Sequence, residues 1–163
     1  MKLQEQAPAV RTSADTESQE APSRDRQLAH GVLRLVLGTN ITVHGLVRVG
    51  SPGAFADTLV QGFANTPLPE WSVRAFALAT PFLELAVGLC ILLGLRLRLA
   101  LFVGGAFMAA LTFGESLRQQ WSNVGGHLSY ALAYYFLLSR ASDARLTIDG
   151  LLRSRRAAPV SPV

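Results

Sequence analysis

Half of the 163 residues are hydrophobic and only 16% are charged, well below the roughly 25% charge of an average soluble domain, in a length that leaves room for one domain. The net charge of +4 does not point to nucleic acid, because the charged groups crowd into the tails and loops. No nucleic-acid partner is expected, and the single cysteine, Cys90, excludes an intrachain disulfide or a Cys-X-X-Cys dithiol.

Residues 1–27 are rich in Gln, Glu, Ser, Thr, Ala and Pro and show no apolar periodicity, so they are expected to form a disordered cytoplasmic tail. They contain no apolar h-region with a small-residue cleavage site, which argues against a cleaved secretory signal. Four apolar segments follow: Leu28 to Val49, about Ser72 to Gly94, about Leu97 to Leu117, and about Val124 to Leu138. Each approaches the roughly 20 residues needed to cross the hydrocarbon as a helix. Lipid leaves only helices and closed barrels as spanning structures, and these runs are too long for barrel strands. The expected fold class is therefore all-α, an integral membrane four-helix bundle over residues 28–139.

The first segment is interrupted by Arg34, Asn40 and His44. Its steps of three, four and seven place His30, Arg34, Gly38, Gly45 and Arg48 on one side, which cannot face lipid. The long connection to the second segment contains Phe55, Leu59, Val60 and Phe63 at helical spacing, between Ser51-Pro52-Gly53 and Pro67-Leu68-Pro69. It reads as a short amphipathic interfacial helix in the first outer loop, either covering the mouth of the bundle or only lying on an apolar surface.

The second segment carries Glu84 near its middle, where an ionisable group costs roughly 2.5 to 3.5 kcal/mol unless it is paired, hydrated or functional. Thr80, Glu84, Gly88 and Ile91 share a face, with Pro81 expected to kink the helix beside the carboxylate. Counted inward from the helix ends, Arg34 and Glu84 differ in depth by roughly 6 Å. This suggests a buried Arg34–Glu84 pair, either structural or flanking a ligand with Glu84 exchanging protons. The turn with Arg96 and Arg98 makes the second and third helices a hairpin.

A further polar group gathers towards the opposite end: His44 and Arg48 on the first helix, Glu115 ending the third, and His127, Tyr130 and Tyr134 on the fourth. His44 and His127 are candidate haem ligands, and His44, Glu115 and His127 candidate metal ligands, although the surrounding spacing demands neither. Arg24 and Arg26, Arg96 and Arg98, and the basic segment 140–163 should be cytoplasmic by the positive-inside rule. Trp71 and Trp121 then form an outer aromatic belt, and both termini are cytoplasmic.

The runs Leu33-Arg34-Leu-Val-Leu-Gly38, His44-Gly45, Pro81-Phe82-Leu83-Glu84 with Gly88 and Gly94, Leu111-Thr-Phe-Gly114, Gln120-Trp121 with Tyr130, and Leu146-Thr-Ile-Asp149 together resemble the DoxX/DoxD family of small bacterial membrane proteins. The resemblance covers about residues 28–152. It implies a bacterial inner-membrane four-helix protein, some members of which are quinone-linked; the DoxD branch is a subunit of thiosulfate:quinone oxidoreductase that works with a second subunit. It draws attention to Arg34, His44, Gly45, Pro81 and Glu84.

The expected function is a quinone-linked oxidoreductase subunit. Arg34, His44 and Glu84 are its candidate catalytic groups, His127, Tyr130 and Tyr134 line the quinone, and Arg48 and Glu115 meet the substrate, with Arg48 and Arg118 attracting a sulfur anion. No nucleotide, flavin or iron–sulfur motif is visible. The alternative is a non-catalytic scaffold or small-molecule carrier with a structural Arg34–Glu84 pair.

Overall fold

The computed structural model describes residues 13–144 and 147–149, with side chains from Arg24 onward except that of Asp143. Its helices are α1 Ser13–Val49, α2 Pro52–Phe63, α3 Glu70–Leu93, α4 Leu97–Leu117 and α5 Trp121–Ser139, followed by a short 3-10 turn at Ala141–Asp143. No strand occurs among the described residues, as expected for an all-α chain. Residues 1–12 and 150–163, parts of the two expected tails, lie outside the described residues.

Three stretches are long and apolar enough to cross a membrane: Arg24–Val49, Glu70–Leu93 and Leu97–Leu117. The expected fourth span, α5, is 19 residues long but falls short of the same measure of apolarity, diluted by Ser122, Asn123, His127 and Ser129. The most enclosed span has only 39% of its apolar window buried. Large apolar side chains are exposed around all four long helices, including Val36, Val47, Phe82, Phe102, Leu132 and Phe136, an apolar coat of the kind that marks a membrane or interaction surface.

α1 begins at Ser13, so part of the segment expected to lack structure is helical. Glu17, Glu20, Ala21, Arg24 and Gln27 are good helix formers, and extending an existing helix avoids the cost of nucleating a new one. α2 falls where the Phe55, Leu59 and Phe63 periodicity places it, with Pro52 in its first turn. α3 runs unbroken through Pro81.

Glycines set the register between α1 and α3. A β-carbon on Gly38 would meet the backbone of Leu92, one on Gly88 the backbone of Thr42, and one on Gly45 the backbone of Leu85 and Pro81. The two helices are therefore antiparallel with their backbones in close approach, the mode small residues permit in membrane bundles. Thr42 keeps its hydroxyl satisfied within α1 by donating to the Gly38 carbonyl at 2.6 Å. The core beside this seam is built from Leu37, Ile41, Val87, Ile91, Leu101, Met108 and Leu137.

α3 ends at Gly94, whose φ of 66° is the left-handed conformation that glycine adopts without strain. The Leu95 amide donates to the Cys90 carbonyl at 2.9 Å to close the cap. The Asp149 carboxylate returns to this turn and accepts from the Leu97 amide at 3.2 Å, capping the start of α4. Short connections keep α3, α4 and α5 alternately antiparallel, so α2, Trp71 and Trp121 share one end of the bundle and Arg96 and Arg98 the other.

Candidate functional site

Glu84 is 4% exposed and its partner is Arg48. The Nη1 atom of Arg48 donates to both carboxylate oxygens, at 2.7 Å to Oε1 and 2.6 Å to Oε2. Arg48 sits in the last turn of α1, where the helix dipole favours a cation. Its guanidinium also lies 5.0 Å from the centre of the Phe55 ring on α2, a cation–π contact.

The expected Arg34–Glu84 pair does not form. The glycine register puts Glu84 opposite the last turn of α1, roughly 18 Å from the level of Arg34 at 1.5 Å per residue. Arg34 is buried at the other end of the bundle, where a β-carbon on Gly94 would collide with its Nη1 and with Thr147. It belongs to the packing around the α3–α4 turn. His30, also at that end, donates from Nε2 to the Leu137 carbonyl at 3.2 Å.

A second arginine repeats the Arg48 arrangement. Arg118 donates to Glu115 Oε1 at 2.9 Å and to the Gly62 carbonyl at 3.0 Å, and lies 5.1 Å from the centre of the Phe63 ring. Glu115 accepts in addition from Asn123 at 3.1 Å. Each arginine thus joins a carboxylate of the long helices to a phenyl ring of α2. That fastens α2 across one end of the bundle.

Beneath α2 lies a cavity of about 230 Å³ whose walls bring together His44, Arg48, Glu84, Glu115, His127 and Tyr130, with Phe55, Leu59, Phe76, Met108 and Leu111 as its apolar surfaces. Six of the eight candidate site residues thus share one space. Tyr130 donates to Asn40 Oδ1 at 3.0 Å. The buried Nδ1 of His127 has no hydrogen-bond partner among the described residues, and an unsatisfied buried polar atom is where a ligand group or water belongs.

Tyr134 stands apart from this wall. Its ring fills the space against Gly104 and belongs to the core, which accounts for Gly104 as a close-approach point between α4 and α5. Asn40, Phe55 and Asn123 were not singled out as site residues from the sequence. Phe55 carried a signal in the helical spacing of α2, whereas Asn40 and Asn123 become site residues only through the way the helices associate.

Both candidate haem histidines line the same cavity, while among the described residues no three His, Cys, Asp or Glu side chains cluster closely enough to hold a metal ion. Comparisons of the chain with models of known protein families, with curated proteins and with solved structures find no match.

Proposed function

We propose that this chain is a multi-pass protein of a bacterial inner membrane that binds a membrane quinone and serves as the quinone-side subunit of an oxidoreductase. In this reading α1, α3, α4 and α5 all cross the bilayer, both termini are cytoplasmic, and α2 lies at the outer surface. The observation that carries the proposal is the cavity itself, a polar space with titratable side chains from four helices inside a bundle coated with apolar residues. The DoxX/DoxD-like spacing of the sequence supports the same direction, with a sulfur anion as the reductant and a second subunit delivering its electrons.

Quinone reduction takes up two electrons and two protons, so the protein must hold a flat apolar ring and offer hydrogen-bonding groups to both carbonyls. Phe55, Phe76 and Leu59 supply apolar walls. Because both oxygens of Glu84 are engaged by Arg48, the groups left to face a carbonyl are His127 and His44, with Tyr130 beside them. Glu115, only 14% exposed, sits in the same wall with its two oxygens held by Arg118 and Asn123, so it too is engaged by its partners. Arg48 and Glu84 then shape the field of the site and anchor α2.

One observation favours a second reading, a scaffold or carrier without turnover: Glu84 is fully paired, as a structural carboxylate would be. Extraction of quinone from the purified full-length chain, alongside quinone reduction in membranes with and without it, separates the readings. Bound quinone that falls sharply in His127→Phe while protein abundance holds is the expected result. Absence of quinone from the wild-type protein, together with unchanged reduction in membranes lacking it, sinks the proposal in favour of the scaffold.

A further inference from the structure

Alongside the polar cavity runs a second space, a groove of about 200 Å³ between α2, α3 and α4. The two share Leu59, Phe76, Leu111 and Glu115 as walls, so they adjoin. Their chemistry differs. The groove's lining includes Phe63 of α2 together with Ala110 and Phe113, which are exposed residues of α4. It therefore leads from the polar cavity out to the apolar coat of the bundle.

We propose that this groove is a separate subsite for the apolar tail of the molecule whose polar head occupies the cavity, and that the ligand enters sideways from the lipid beneath α2. This rests on the quinone reading and adds to it where the hydrocarbon tail lies, in a compartment adjoining that of the head, and by which side the ligand enters. Buried methylenes stabilise binding in proportion to the area they remove from water, so a tail lying in the groove adds affinity that a tail-less head lacks. Glu115 marks the boundary, since it is the one ionisable side chain common to both walls.

The test compares two probes on the detergent-solubilised full-length chain by equilibrium dialysis: a tail-less dimethoxy-methyl-benzoquinone and the same ring carrying a decyl chain. Ala110→Phe fills the groove from an exposed position on α4, and Ala109→Phe places the same ring one residue away, outside the groove. The expected result is that Ala110→Phe weakens the decyl compound about tenfold or more, equivalent to roughly two lost methylenes. It leaves the tail-less compound unchanged, and Ala109→Phe changes neither.

Unchanged binding of the decyl compound in Ala110→Phe overturns the subsite. So does equal affinity of the wild type for both probes, the pattern expected if the groove holds only a lipid acyl chain. Loss of both compounds in Ala110→Phe shows one undivided site and also overturns it. If the wild type binds neither probe, the failure lies with the quinone reading, and the subsite falls with it.

Discussion

The Arg48–Glu84 contact joins a carboxylate that is almost fully enclosed to a guanidinium that is 29% exposed, so its removal should be felt mainly on the carboxylate side. Loss of one partner from such a pair typically costs a few kcal/mol, because the other is left without compensation. A double-mutant cycle with Arg48→Met and Glu84→Gln is expected to show a coupling of about 1 to 3 kcal/mol in detergent melts. The parallel cycle with Arg34→Met and Glu84→Gln should be additive, as Arg34 lies at the opposite end of the bundle. Coupling in the Arg34 cycle and none in the Arg48 cycle would reverse the assignment. That Glu84 faces inward was legible in the sequence from its apolar neighbours alone. Its partner was not, because depth counted from predicted helix ends assumes that the ends are level, whereas the glycine contacts slide α1 along α3.

At the scale of the elements, these same contacts make a second expectation quantitative. An added β-carbon at Gly45 would lie 2.4 Å from the Leu85 amide nitrogen, and the obstacle is backbone that cannot swing aside. Gly45→Ala is therefore expected to destabilise by about 2 kcal/mol or more, as overpacking does. Gly31→Ala, in the same helix with nothing within 4 Å, should be neutral or stabilising by up to about 1 kcal/mol. Thermal melts of the two variants check the contrast, and equal effects would show that the close approach carries no energy. The four long helices and α2 could be read from hydropathy and periodicity, which also set Gly38 and Gly45 on the face of α1 turned from lipid and Gly88 on the face of Glu84. The early start of α1 could not, since a polar stretch joined to an apolar helix gains its order from the helix it extends.

For the molecule as a whole, the distribution of polarity is inverted relative to a soluble domain: large apolar side chains cover the outside, while ionisable ones line an internal space. Six of the eight candidate residues meet there: His44, Arg48, Glu115, His127 and Tyr130 are grouped at one end by helix ends and spacing, whereas Glu84 joins them only through the α1–α3 register. Arg34 and Tyr134 fall outside it because register and the Gly104 contact, neither of which spacing reveals, assign them to packing. The α1–α3 seam also bears on the order of biogenesis. α1 is the least apolar of the three membrane-competent stretches, with a mean hydropathy of 1.3 against 2.2 for α3, and the partner of its Arg48 is synthesised 36 positions later. α1 should consequently leave the translocation channel only in company with α3. A chain cut short after Phe63 is expected to be extractable from membranes by alkaline carbonate, whereas one extended through Leu93 should resist extraction; equal resistance of both would show that α1 partitions into lipid unaided.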